Sequence, residues 1–378
     1  MTKGANRPNG TCGGETGGIL TIDLDALAAN WRLLRNRMEG NPCAAVVKAN
    51  GYGVGVVPVA RRLAAEGCET FFVAHIEEGV TLRQALPGPE IFVLNGLSPG
   101  SAPSYRAHQL APCLNDIGQV RAWLDHCADT GPTAAALHVD TGMTRLGLDP
   151  HDLETIDLDG LRALPDLIVM SHLACADEPD HPLNERQRGA FEDLRMAFPA
   201  ARASLANSSG LFIGDGYRFD LGRPGVALYG GNPTPTRGHN PMRPVVRLQA
   251  RVLQVREIQD NCSIGYGATA DAFPGTRIAT LAAGYADGYL RAISNRGTVY
   301  VDGHACPVVG RVSMDLLTID VTKATADGIA ITPGTLVDLI NKDHTVDDVA
   351  ADADTIGYEV LTSLGNRFHR QYVGGSGE

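Results

Sequence analysis

The sequence has no run of basic residues, and its formal net charge is -11. A nucleic-acid surface needs clustered Lys and Arg, so the charge argues against that class of partner. No apolar stretch is long enough to cross a bilayer as a helix. The eight cysteines (Cys12, Cys43, Cys68, Cys113, Cys127, Cys175, Cys262 and Cys306) contain no CxxC pair. Neither a disulfide framework nor a zinc site is expected from them, and no metal is assigned. Cys43, Cys113 and Cys175 lie in or beside apolar runs, as packed thiols do in a reducing cytoplasm. The first 18 residues are polar and glycine-rich with no apolar core. They do not read as a signal peptide, and a loose tail is expected over residues 1–16.

What is present is enough chain for two domains: 378 residues, 44% hydrophobic and 20% charged. Short apolar runs recur at 43–47, 71–74, 91–94, 110–114, 134–139, 167–171, 203–206 and 225–229. Continuous runs of this length suit parallel strands covered on both faces. Helical patterns fill most gaps. Val56, Val59, Ala60 and Leu63 share one face; Ile117, Val120, Leu124 and Cys127 share another, with Asn115 or Asp116 placed to cap it. Phe191, Leu194 and Phe198 form a third. The alternation predicts an α/β fold whose N-terminal part, 17–240, is a (β/α)8 TIM-type barrel. Spacing alone also allows a doubly wound sheet. Residues 232–241, rich in Pro, Asn and Gly, read as a linker. Beyond them, 245–258, 277–282, 297–301, 308–321 and 335–339 alternate as strands between Asp-Gly and Pro-Gly turns. A mostly β C-terminal domain is expected over 241–373, with a short helical piece at 358–364 and a disordered tail at 374–378.

In a barrel, reactive groups gather at the C-terminal ends of the strands. Lys48, Asn95, Asp140 with Arg145, Ser171 with His172, Asn207 with Ser208 and Ser209, and Arg223 fall there. Each also has a purely structural reading: Asn and Ser as turn or cap residues, Arg145 as a surface cation, His172 as a core histidine. Lys48 closes an apolar run; it could be a base or a Schiff-base amine, or a lysine whose stem packs while its ammonium reaches water. Jointly these residues place one lysine opposite phosphate-binding groups in the loops of the seventh and eighth strands. That combination is what pyridoxal phosphate requires.

Seven segments, in order over residues 17–373, resemble motifs of the alanine racemases. They are Val47-Lys48-Ala49-Asn50-Gly51-Tyr52-Gly53, Asp140-Thr141-Gly142-Met143-Thr144-Arg145-Leu146-Gly147, Arg223-Pro224-Gly225-Val226, Gly265-Tyr266-Gly267-Ala268-Thr269, Gly284-Tyr285-Ala286-Asp287-Gly288, Gly310-Arg311-Val312-Ser313-Met314-Asp315 and Thr355-Ile356-Gly357-Tyr358-Glu359. The resemblance implies interconversion of L- and D-alanine on pyridoxal 5'-phosphate, supplying D-alanine for the cell wall. Lys48 would hold the cofactor covalently and act as the base on D-alanine, with Tyr266 the base on the opposite face. His172 and Arg223 would form a chain to that tyrosine, and Arg223 would face the pyridine nitrogen. Tyr52, Ser208, Gly225, Val226 and Tyr358 would hold the phosphate, with Asn207 beside the cofactor. Arg145 and Met314, with Asp315 beside them, would hold the substrate carboxylate. Tyr285 and Tyr358 match tyrosines that narrow the entrance. Tyr266 and Met314 would come from a second subunit, which implies a homodimer.

Three positions depart from the family pattern. Gly51 stands for the usual Ala and Val54 for His. His138 stands where many members carry a carbamylated lysine. Imidazole cannot supply anionic oxygens, so no carbamate is expected, and Arg145 should be held by another anion or a water. The other readings are a racemase of serine, basic or broader amino acids, a non-catalytic pyridoxal-phosphate carrier, and a decarboxylase of related architecture. The β domain with Tyr266 argues against the last two.

Overall fold

The computed structural model describes residues 16–375. Of the tails expected at 1–16 and 374–378, residues 1–15 and 376–378 lie outside them, while Gly375 N–H donates to Asp25 Oδ1 (3.0 Å). The described chain forms two compact units, Leu24–Val245 and Val246–Val373, the second joined by residues 16–23. The first strand, β1 (Gly18–Asp23), belongs to the second unit, although it falls within the 17–240 expected for the barrel. It pairs antiparallel to β9 (Val246–Glu257) and parallel to β17 (His369–Val373). Its residues alternate between buried and half-buried, the period-2 signature of a strand covered on one side.

In the first unit seven parallel strands follow one another as neighbours: β2 (Ala45–Val46), β3 (Thr70–Val73), β4 (Glu90–Val93), β5 (Ala111–Leu114), β6 (Ala136–His138), β7 (Ile168–Met170) and β8 (Arg202–Ser204). They are short and almost wholly buried, as the continuous apolar runs required. The expected eighth strand at 225–229 is instead a 3-10 helix, Val226–Tyr229. The ring is closed one step earlier. Ala44 N–H donates to Gly222 O (2.8 Å) and Val46 N–H to Pro224 O (3.0 Å) on one side; Arg223 N–H donates to Ala206 O (2.9 Å) on the other. An apolar run of four residues cannot be assigned to strand or helix by pattern alone, and Val226-Ala227-Leu228-Tyr229 is buried in either form.

The outer helices bury the predicted faces. In Val56–Ala65 the buried residues are Val56, Val59, Ala60 and Leu63. In Ile117–Thr130 Trp123 replaces Leu124 in the buried stripe, and Asp116 caps the helix by accepting from Gln119 N–H. At the barrel floor Arg202, at the start of β8, pairs in two bonds with Glu90, at the start of β4 (2.8 and 3.1 Å).

The second unit is the expected β domain. Around the long β9 lie β10 (Cys262–Ile264), β11 (Ala270–Ala272), β12 (Arg277–Leu281), β13 (Thr298–Val301), β14 (His304–Pro307), β15 (Leu317–Asp320) and β16 (Leu336–Ile340). The main sheet runs β14-β13-β16-β9-β1-β17, with β12 bridging β9 and β15, while β10 and β11 form a separate two-stranded ribbon. The single strand expected at 308–321 does not form. The chain there leaves β14 and returns as β15, and the loop between them holds Arg311, Met314 and Asp315.

Candidate active site

Lys48 follows β2 and opens a turn of unusual hand. Ala49, Asn50, Gly51 and Tyr52 have φ of 53, 54, 64 and 52°. Left-handed backbone costs about 1–2 kcal/mol per non-glycine residue, and three of the four are not glycine. Hydrogen bonds offset this. Gly51 N–H donates to Val47 O (2.9 Å), Gly53 N–H to Ala49 O (2.8 Å) and Gly55 N–H to Asn50 O (2.9 Å). Asn50 Oδ1 accepts from Val56 N–H (3.0 Å), and Glu78 Oε1 accepts from Ala49 N–H (2.6 Å). Gly51 suits the conformation, and a Cβ there would sit 3.2 Å from Val56 Cα. Val54 is fully buried. Lys48 is half-buried. Burial, and then the Arg145 charge, hold its amine below the usual lysine range, while Glu78 pulls the other way.

The next part of the rim is built on β6. Asn115 donates its amide hydrogens to Leu94 O and Cys113 O (3.0 Å each). Its oxygen, 2.7 Å from His138 Nδ1, can therefore only accept. His138 carries its proton on Nδ1, and Nε2 is left as an acceptor. Burial and the Arg223 and Arg145 charges push its pKa down to about 4. Asp140 accepts from Gly142 N–H and Met143 N–H (2.9 Å each) and from Thr144 N–H (2.9 Å), shaping the loop that presents Arg145. Burial raises the Asp140 pKa, but these amides together outweigh it and the carboxylate stays below its usual range. Arg145 is exposed and forms no ion pair among the described residues. His172 is held by its carbonyl, which accepts from Gln187 Nε2 (2.9 Å). Burial, then Arg223 and Arg145, push its pKa to about 3. Both histidines are neutral at pH 7.

Arg223 lies on the segment that closes the ring and is buried. It donates to the Ser204 hydroxyl and to Ser171 O (2.5 Å), and burial lowers its pKa to about 10. It stays a cation and a pure donor. Beside it, Ser208 Oγ accepts from Gly225 N–H (2.9 Å) and Ala227 N–H (3.3 Å). A Cβ on Gly225 would sit 2.2 Å from the Tyr52 hydroxyl oxygen, so only glycine fits there. The Tyr52 ring stacks on Tyr229 at 4.6 Å, and Val226 is buried at the start of the 3-10 helix. Asn207 caps the following turn by accepting from Gly210 N–H (2.9 Å) and reaches Leu173 O (3.4 Å). A half-buried amine, a glycine cradle with hydroxyl and amide groups, and a buried cation fit pyridoxal phosphate.

The remaining predicted residues belong to the β unit. Tyr266 is 73% exposed, between Gly265 and Gly267, both with positive φ. It lines a cavity of about 480 Å³ with Arg311, Ser313 and Leu316. Tyr285 N–H donates to Ser313 O (3.0 Å) and Ala286 N–H to Met314 O (2.9 Å), which brings Tyr285 against the Met314 loop. Asp315 accepts from Arg367 (2.7 Å), whose guanidinium also clasps buried Asp287 (2.5 and 2.8 Å). Tyr358 is exposed on the helix Gly357–Ser363.

The rim thus gathers Lys48, Arg145, His172 and Arg223 within one electrostatic neighbourhood, together with Tyr52, Ser208, Gly225 and Val226. Sequence reasoning missed Glu78, Asn115, Gln187, Ser204 and Arg367. Each makes a contact that shapes the site across 15 to 80 positions: Glu78 with Ala49, Asn115 with His138, Gln187 with His172, Ser204 with Arg223 and Arg367 with Asp287. Among the described residues no group of three or more His, Cys, Asp or Glu could hold a metal, and no helix is long and apolar enough to cross a membrane.

Family profiles match nearly the whole chain: alanine racemase, N-terminal domain, at residues 22–233, and alanine racemase, C-terminal domain, at 245–372. The chain is 50% identical over 368 residues to the alanine racemase of Rhodospirillum rubrum, covering 95% of this chain and 98% of that one. It is 50% identical over 363 residues to the catabolic alanine racemase of Mesorhizobium japonicum, covering 95% and 94%. Among solved structures, the Bartonella henselae alanine racemase with covalently bound pyridoxal phosphate superposes with a TM-score of 0.90 at 37% identity, covering 94% and 99%.

Proposed function

The chain belongs to the alanine racemase family of pyridoxal-phosphate-dependent isomerases, and from that premise we propose that it interconverts L- and D-alanine with Lys48 and Tyr266 as its two bases. Pyridoxal phosphate, when bound, supplies a conjugated ring that delocalises the charge left at the substrate Cα. Lys48 would hold the cofactor through Nζ and would exchange a proton with one face of the substrate Cα. The phenol oxygen of Tyr266 exchanges one with the other face. Removal on one side and return on the other is what inversion needs. Burial of Lys48 favours the free amine, the form that can accept a proton.

Arg223, a pure donor, would face the ring nitrogen of the cofactor and would leave it unprotonated. Ser208, Tyr52, Tyr358 and the amides of Gly225 and Val226 would hold its phosphate, with Asn207 beside the cofactor. Arg145 and Met314 take the substrate carboxylate, with Asp315 alongside and Tyr285 at the entrance. His138, a neutral acceptor locked by Asn115, stands in place of an anion near Arg145, so no carbamate forms. The active site is completed in a homodimer, to which the second copy brings Tyr266 and Met314. Met314 and Ile356 are 54% and 61% exposed in the single chain, and such apolar surface suits a partner. The seven described cysteines are free thiols, in keeping with a cytoplasmic enzyme. D-alanine supply for peptidoglycan is taken as the physiological direction; a deletion strain should then need D-alanine to grow.

The observation that carries the reading is the half-buried amine of Lys48, sharing its neighbourhood with Arg145 and His172 and depressed by burial. Purified protein given pyridoxal phosphate should absorb near ~420 nm and racemise alanine faster than serine, lysine or arginine. Lys48→Ala should remove both the band and the activity. Absence of the band in the unaltered protein would end this reading.

A further inference from the structure

The turn after Lys48 is tied to the rest of the rim by one carboxylate. Glu78 stands in the first turn of the helix Ile76–Ala85, just after β3. Its Oε2 reaches back to accept from Ala74 N–H (2.8 Å) and His75 N–H (3.2 Å). Its Oε1 crosses to the neighbouring strand's end and accepts from Ala49 N–H (2.6 Å). Ala49 is the first residue of the left-handed run, and its amide is the one next to Lys48. One carboxylate therefore joins the ends of β2 and β3 and holds the strained turn where it leaves the strand. A helix N-terminus favours a carboxylate there, and a charged acceptor makes the stronger kind of hydrogen bond.

We propose that Glu78 is a positioning residue for Lys48, fixing the turn that carries it and setting a negative charge beside its ammonium. The inference rests on the reading of Lys48 as the reactive amine. The charged and titratable groups that face Lys48 are Arg145, His172 and Glu78. Arg145 and the neutral His172 offer no negative charge, so Glu78 is what offsets the pull of Arg145 and of burial. A spacer that merely held the backbone would leave the amine's titration where it was; a charge at this position moves it.

The chain has four lysines, Lys3, Lys48, Lys323 and Lys342, so each can be followed separately by peptide mapping. Reductive methylation with formaldehyde and cyanoborohydride reads the unprotonated amine and needs no bound cofactor. In cofactor-free protein, Glu78→Gln should move the Lys48 methylation midpoint down by about half a pH unit, with Lys323 and Lys342 unmoved. Glu78→Ala should do the same; if it does not fold, Glu78→Gln decides alone. A Lys48 midpoint that is unchanged or raised in folded Glu78→Gln overturns the proposal. Failure of the unaltered protein to bind pyridoxal phosphate would instead remove the reading of function, leaving the methylation result intact.

Discussion

The barrel rim and the β-unit loops carry their residues in opposite ways. On the rim, Arg223 is buried and donates to Ser204 and Ser171, and His138 is fixed by an amide whose own hydrogens are committed. In the β unit, Tyr266 is 73% exposed and Arg311 beside it is exposed as well. The rim is organised by its own unit before any ligand arrives. The β unit offers side chains that stand exposed. Changes on the rim should therefore alter folding and chemistry together, whereas changes in the loops should alter chemistry alone.

Tyr266→Phe sets the two regions furthest apart. Turnover should fall about 10²–10⁴-fold, the range of a lost acid–base group. The denaturant midpoint should stay within about 0.5 kcal/mol, as for an exposed side chain. A clear loss of stability would break the contrast. Isotope exchange at Cα should fall more from L-alanine than from D-alanine, since the equilibrium constant between enantiomers is fixed at one.

Acid should separate them next. His138 has a folded pKa of about 4 against an ordinary value of 6.5. The unfolded chain binds the proton first, so this contribution is complete above pH 6.5 and is lost as pH falls toward 4. By the shift, it amounts to about 3 kcal/mol. His172, near 3, extends the window lower. Urea titrations at pH 7, 5.5 and 4.5 should show this slope, and His138→Gln should flatten it. An unaltered slope in that variant would mean that His138 is not buried as a neutral ring.

Arg223→Met keeps the stem but leaves the Ser204 hydroxyl and Ser171 carbonyl without their donor. A loss of about 1–3 kcal/mol in urea unfolding follows. Asp315→Asn should do least. Its partner Arg367 is half in water and keeps Asp287, so the change should stay below about 1 kcal/mol by the same measurement. An effect as large as that of Arg223 would show that the β unit is as tightly organised as the rim.

What could be read from the sequence follows the same division. Strands with four apolar residues in a row, such as Ala111–Leu114, announce themselves, because both faces are buried. Val226–Tyr229 has the same texture and is a 3-10 helix, since burial marks composition and not backbone geometry. β1 could not be placed, because its partners β9 and β17 lie more than 200 positions away. The reactive residues were visible through their flanking glycines, several of which have positive φ, as at Gly51, Gly142 and Gly265. Glu78 and Asn115 carry no such flag. They act through hydrogen bonds to Ala49 and to His138, and neither pairing has a local pattern.

The segment that closes the barrel is also the one that carries Arg223, and it is short: Gly222 and Pro224 meet β2 on one side, while Arg223 meets the chain after β8 on the other. The ring's seam and the cofactor's cradle are thus the same few residues. By linkage, a ligand that binds only the closed ring lowers the free energy of the closed form by an amount that grows with its concentration. Pyridoxal phosphate held at Gly225 and Arg223 would act as a clasp on the seam as well as a reagent, so the supply of cofactor governs how firmly the barrel stays shut.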